Sequence, residues 1–154
     1  MDEHIKFLLA ANAVAKQSRE AGRHPFGAIL VDANREIVLE QGNLGSVRHA
    51  ESTLILAASD LYSPEKLWDC TVYTTVEPCA MCAATQYWAN IGNLVYGIAE
   101  TALLALTGAN AENPTMDFPS RDLFSRGQKG INVIGPVPQV EAEILAVHEG
   151  FWNH

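Results

Sequence analysis

His49-Ala50-Glu51 and, further along, Pro78-Cys79-Ala80-Met81-Cys82 decide how this chain is read. Together they bring one imidazole, two thiols and one free carboxylate. Imidazole and thiolate are borderline-soft ligands that suit Zn²⁺. Three protein ligands leave one tetrahedral position open for water, the arrangement of a reactive centre rather than a structural one. Bound zinc brings that water close to ionisation at neutral pH. Glu51, two residues past His49, can stand beside the metal without binding it, where a proton carrier would sit. A C-x-x-C pair alone is a weak signal, shared by redox motifs and zinc fingers. A structural site would need a fourth ligand. The only other cysteine, Cys70, leads into the strand-like run Thr71-Val72-Tyr73-Thr74-Thr75 and is expected to be a buried core thiol.

Working outward, Asp2 opens a helical pattern with Ile5, Leu8, Leu9 and Ala13 on one face, and Gly22 is its expected stop. Phe26 to Val31 is a continuous apolar run that reads as a central strand. Asp32-Ala33-Asn34-Arg35 is the turn, and Glu36 to Glu40 the antiparallel partner. Gly42 to Ser46 is a loop that delivers the chain to His49. Ala50 to Leu61 reads as a helix with Glu51 on its first turn, ended by Ser63-Pro64. Cys70 to Thr75 is the next strand, and Cys79 to Ala89 the next helix. On it the two cysteines stand at i and i+3, where free backbone N–H groups and the positive dipole end favour thiolates. Asn93 to Gly97 is a strand, Ala99 to Leu106 a short helix, and Thr107 to Pro119 a long loop. Asp122 to Ser125 is a helical turn, Ile131 to Ile134 a last strand and Gln139 to Glu149 a last helix. Strand–helix alternation of this kind indicates an α/β sheet protein. Two helix N-termini aimed at one point from one sheet edge would let His49 and the cysteines share a metal.

The chain has 154 residues, 48% of them hydrophobic, enough for one domain with its own core, residues 1–154. No apolar run approaches membrane-spanning length. Met1-Asp2-Glu3-His4-Ile5-Lys6 lacks the charged-then-apolar design of a secretion signal, so the cytoplasm is the expected location. Two of the three cysteines belong to the metal motif, which fits a reducing compartment. The formal net charge is −8, and Lys and Arg are scattered singly, so no electrostatic footprint for nucleic acid is visible.

The H-x-E…P-C-x-x-C pattern resembles that of the cytidine deaminase superfamily, the zinc-dependent nucleobase and nucleoside deaminases. The similarity to the guanine deaminase-like branch extends over His24-Pro25-Phe26-Gly27-Ala28, the stretch from Cys70 to Cys82, Tyr87-Trp88-Ala89 and Val95-Tyr96-Gly97. It continues through Glu112-Asn113-Pro114-Thr115-Met116-Asp117 and Gly150-Phe151-Trp152. The resemblance implies a three-layer α/β/α domain with a mixed five-stranded sheet, Zn²⁺ on His49, Cys79 and Cys82, and Glu51 as the acid–base residue. It implies hydrolytic release of ammonia from a small-molecule nucleobase or nucleoside. Guanine is the first expectation, with cytosine, cytidine or guanosine as alternatives and adenosine in transfer RNA behind them. A non-catalytic zinc-stabilised interaction module is the reading from another class, and an intact Glu51 argues against it.

Candidate substrate contacts are Asn43, Phe26, Ala50 through its backbone N–H, Trp88, Asp117 and Trp152. Asn43 stands where the resembling enzymes hydrogen-bond substrate, against a plain Asx-turn. Phe26 and Trp88 could wall a planar base, against ordinary core packing. Asp117 lies where guanine deaminases carry an acid in this loop. The terminal Phe151-Trp152 pair should be docked, over the site, the core or a partner. Glu77 is expected either to touch substrate or to end its strand, and His24, His148 and His154 to be non-catalytic. A homodimer is expected from the resemblance.

Overall fold

The apolar run after Phe26 forms the strand on which the sheet is built. The computed structural model describes residues 1–108 and 110–152. Five strands, β1 (Gly27–Val31), β2 (Ile37–Gly42), β3 (Thr71–Val76), β4 (Asn93–Ile98) and β5 (Asn132–Ile134), make one sheet in the order β2-β1-β3-β4-β5. β1 runs antiparallel to β2 and β3, whereas β3, β4 and β5 are parallel. β1 and β3 are buried at every position, as strands covered on both faces must be.

Alternate side chains feed two cores. Ile29, Val31, Tyr73 and Val95 meet Phe7, Leu8, Ala11 and Val14 of α1 (Asp2–Glu20) and Ile144 of α7 (Glu141–His148). Ala28, Leu30, Val72, Leu94 and Tyr96 meet Leu54, Ile55 and Ala58 of α2 (Ala50–Leu61), Ala83 of α4 (Ala80–Ala89) and Phe124 of α6 (Ser120–Ser125). The three-layer α/β/α arrangement with a mixed five-stranded sheet is thus observed. Gly27 lets α1 lie against the start of β1, because a Cβ there would collide with the backbone of Ala11 and Ala15.

Element boundaries follow the sequence closely, with four differences, the first being β2, which runs on to Gly42 rather than ending at Glu40. Ser63-Pro64 ends α2 but also opens a short helix, α3 (Pro64–Trp68), with Ser63 Oγ accepting from the Lys66 N–H at 3.2 Å and proline at the first turn. The helical turn expected from Asp122 begins at Ser120. The last helix is preceded by a separate 3-10 turn, Pro138–Val140. Expectations for His154 fall outside the described residues. Among the described residues, no helix is long and apolar enough to cross a membrane.

Candidate active site

The carboxyl ends of parallel β3 and β4 open into a cleft of about 760 Å³, the position at which open α/β sheets form ligand sites. Two helices begin there. The loop after β2 folds back on itself, the Leu44 N–H bonding the Arg48 carbonyl at 2.8 Å, and so places His49 at the N-cap of α2. β3 runs through Glu77-Pro78 to Cys79, the N-cap of α4, with Cys82 inside the first turn.

The Nδ1 of His49 lies 3.5 Å from Sγ of Cys79 and 3.5 Å from Sγ of Cys82. One N–H cannot point along both lines, so hydrogen bonding does not explain the symmetry. A tetrahedral Zn²⁺, with Zn–N near 2.0 Å and Zn–S near 2.3 Å, would separate nitrogen and sulfur by about 3.5 Å. The ligand atoms of His49, Cys79 and Cys82 all lie within 4.8 Å of one another, and they are the only such cluster among the described residues. The donor set and its spacing therefore fit zinc. Cys79 is pulled down to about 4, first by the hydrogen bond from Cys82 and then, against burial, by His49. Cys82 is pushed up, as the donor of that hydrogen bond and by burial. The pair shares one proton, which a divalent cation would displace. Cys70 stands apart, buried just before β3, its Sγ donating to the Lys66 carbonyl at 3.4 Å.

Glu51 lies on the first turn of α2, lines the cleft and is 8% exposed. Its carboxyl is raised to about 7, first by burial and further by the charge of Cys79, with His49 and Thr74 opposing. A carboxyl poised near neutrality can both accept and return a proton.

Asn43 and Phe26 line the cleft, Asn43 almost wholly buried. Ala50 is fully buried at the first residue of α2, and its side chain is not part of the cleft wall. Trp152 sits one layer back. Its Nε1 donates to Nδ1 of buried His148 at 3.1 Å, and its ring packs edge-on to His24 at 5.1 Å and tilted to Phe26 at 6.2 Å. It supports wall residues rather than forming the wall. His24 does line the cleft.

Two expectations are corrected. Trp88 is 79% exposed and borders a shallow depression between α2 and α4 with Ile55, Leu56, Ala84 and Thr85, outside the cleft. It lies six residues beyond Cys82, about 120° round the helix from the metal-facing side. Asp117 is exposed and outside the cleft wall, to which the described residues of this loop contribute Ala111 to Met116.

Two residues of the wall carry more than the sequence suggested. Glu77 ends β3 as an expected strand terminator, but its carboxylate is a clamp. Oε1 accepts from the Glu100 N–H at 3.2 Å, and Oε2 accepts from the Ser120 N–H at 2.8 Å and the Ser120 hydroxyl at 2.7 Å. It thereby ties β3 to the N-termini of α5 (Glu100–Thr107) and α6. Glu100 itself lines the cleft and is 7% exposed. The one signal that could have marked both is their place just after the carboxyl ends of β3 and β4.

The family model for the cytidine and deoxycytidylate deaminase zinc-binding region matches residues 1–98. The chain is 35% identical over 157 residues to the "Probable cytosine deaminase" of Schizosaccharomyces pombe, covering 99% of this chain and 94% of that protein. It is 35% identical over 103 residues to the guanine deaminase of Bacillus subtilis, covering 64% of this chain and 66% of that one. A structure from studies of A-to-I editing by tRNA:A34 deaminases superposes with a TM-score of 0.70 at 24% identity, over 93% of this chain and 99% of that one, a likeness of fold. A zinc-ready tetrahedral edge beside a near-neutral carboxyl, in a chain so related, is hydrolytic chemistry, and the chain belongs to the cytidine and deoxycytidylate deaminase family as a zinc-dependent deaminase.

Proposed function

We propose that the chain hydrolyses the exocyclic amine of a free nucleobase, with His49, Cys79 and Cys82 holding the zinc and Glu51 carrying the protons. Glu51 bears most of this reading. It is a buried carboxyl in the cleft, two residues from one ligand and outside the ligand cluster. When bound, zinc supplies Lewis acidity that makes water a competent nucleophile at neutral pH. Glu51 takes a proton from the attacking water and passes it to the ring nitrogen beside the amine-bearing carbon. It then moves a second proton to the departing amine. The balance is ring C–NH₂ plus water giving ring C=O plus ammonia. Phe26 offers a face to the flat ring, and the Asn43 amide offers a donor and an acceptor to its edge. The Ala50 backbone N–H is available to the tetrahedral adduct.

Guanine is the leading substrate, since the cleft has room for a two-ring base. Cytosine is the second reading, favoured by the relative that aligns along nearly the whole of both chains. A phosphate-bearing substrate is disfavoured by the acids Glu51, Glu77, Glu100 and Glu112 in the cleft wall and by the net charge of −8. Residues 1–154 act as one catalytic domain in the cytoplasm, a setting supported by three unpaired cysteines. The protein acts as a homodimer, for which the exposed Leu56 and Trp88 beside α2 and α4 provide an apolar face. Ammonia release measured on guanine, cytosine, guanosine, cytidine and transfer RNA tests the reading. Turnover of a free base is expected. Conversion of adenosine in transfer RNA with no activity on any small molecule would overturn it.

A further inference from the structure

Oε2 of Glu100 is the only buried carboxyl oxygen among the described residues without a hydrogen-bond partner. Leaving a buried acceptor unpaired is unfavourable, and more so for a charged group. A carboxyl on the first turn of a helix ordinarily relieves that cost by facing water or free backbone N–H groups. Neither relief is open to Glu100. The side chain is buried in the cleft wall, and its own N–H is already taken by Oε1 of Glu77. The second oxygen of Glu77 is held by Ser120, so the backbone from which Glu100 projects is fixed between β4 and α5. A polar group held rigidly in a ligand cleft with an unmet hydrogen bond is a recognition element awaiting its partner.

The chemistry of that partner follows from the state of the carboxyl. Burial first, then the charges of Cys79, Glu77, Glu51 and Asp117, raise Glu100 to about 8. Its burial in the cleft wall favours the carboxylic acid, with one O–H donor and one C=O acceptor side by side. The complementary ligand edge is a cyclic amide, whose ring N–H and C=O pair with the acid in two parallel hydrogen bonds. Both guanine and cytosine carry such an edge. A phosphate or a carboxylate, with acceptors only and a negative charge, does not match it.

We propose that Glu100 is a specificity-determining residue that binds the N–H/C=O edge of the substrate ring. This rests on the free-nucleobase reading above. It assigns the substrate class as an amino-bearing heterocycle with an unsubstituted cyclic amide, whichever base is preferred. Glu51 handles protons, and Glu100 selects and orients the ring.

The test compares turnover of guanine with 1-methylguanine and of cytosine with 1-methylcytosine, in wild type, Glu100→Gln and Glu100→Met, all zinc-loaded. Sites built to hydrogen-bond a substrate group reject analogues lacking it by up to about 10⁴-fold. The wild type is expected to prefer the unmethylated base by at least about 10²-fold in kcat/KM. Glu100→Gln keeps an acceptor–donor pair and should retain that preference. Glu100→Met should lose about 10²-fold on the unmethylated base, with little change on the methylated one. A merely structural Glu100 would lower both alike. Methyl discrimination that persists in Glu100→Met, or is missing from the wild type, overturns the proposal. Missing discrimination in the wild type overturns the proposal by itself, and Glu100→Ala takes the place of Glu100→Met if that variant does not fold. Release of ammonia from neither base would instead bring down the nucleobase reading, and this assignment with it.

Discussion

Replacing Glu77 with glutamine should destabilise the fold far more than its conservative chemistry suggests. The glutamate serves three donors with two oxygens, the Glu100 N–H through Oε1 and the Ser120 N–H and hydroxyl through Oε2. A carboxamide has one acceptor oxygen. If that oxygen faces Ser120, its NH₂ meets the Glu100 N–H donor to donor. One bond is lost, and the other two lose their charge assistance. Hydrogen bonds to charged groups contribute about 1.5–3 kcal/mol each, and buried donors left unpaired cost a similar amount. The sum is roughly 2–4 kcal/mol, allowing for non-additivity within one cluster. In a domain of this size 1 kcal/mol moves Tm by about 2–4 °C, so a fall on the order of 10 °C is expected. Thermal melting of the zinc-loaded protein measures it, and hydrogen exchange should show the first turns of α5 and α6 opening sooner. Zinc content should be unchanged, because none of the three bonds runs to His49, Cys79 or Cys82. A Tm within about 2 °C of wild type would refute the clamp.

Other consequences are equally direct. Cys82→Ala should lose most of the zinc while Cys70→Ala keeps it, as metal analysis of purified protein will show; equal retention in both would sink the ligand assignment. Buried His148 is lowered to about 4, chiefly by burial and then by Arg19. Between its unfolded value near 6.5 and 4, the unfolded chain binds a proton that the folded one refuses, so stability falls as pH falls through that window, by up to about 3 kcal/mol. His148→Phe should therefore show a shallower loss of Tm between pH 7 and 4.5, and an unchanged slope would count against this origin. If the proposed homodimer uses this face, Trp88→Glu should yield a monomer in sedimentation where the wild type is a dimer, while leaving zinc bound; a variant that stays dimeric would remove this face from the interface.

The metal centre was legible because it is locally encoded. His49, Cys79 and Cys82 each sit at or within a turn of a helix start, and the apolar runs around them read directly as strands and helices. The mixed five-stranded sheet came from family resemblance and the antiparallel β1–β2 pair from its turn, whereas the strand order was not legible, since periodicity reports burial rather than pairing. The substrate wall was legible only in part. Asn43 and Phe26 lie on the segments that flank the site. Trp88 is close to it in sequence but turned away by its angle round α4, and Asp117 lies just past Met116, where the cleft wall ends. The apolar end of the chain signals that Trp152 is docked, but its place behind Phe26 depends on how α7 packs on α1. Glu77 and Glu100 went unread as a pair because their link joins two strand ends through one backbone N–H, a contact no spacing rule encodes.

Glu51→Gln tests the central claim most directly, because it separates the metal site from the chemistry. Glutamine keeps the volume and the hydrogen bonding of Glu51 but cannot accept and return a proton near neutral pH. Zinc per chain, Tm and the steady-state rate of ammonia release should be measured on the same preparation, with the base that the wild type turns over. The account predicts bound zinc, a little-changed Tm and a loss of about 10⁴-fold in kcat, at or beyond the upper range for one acid–base group. A variant that keeps both its zinc and most of its turnover would contradict the account.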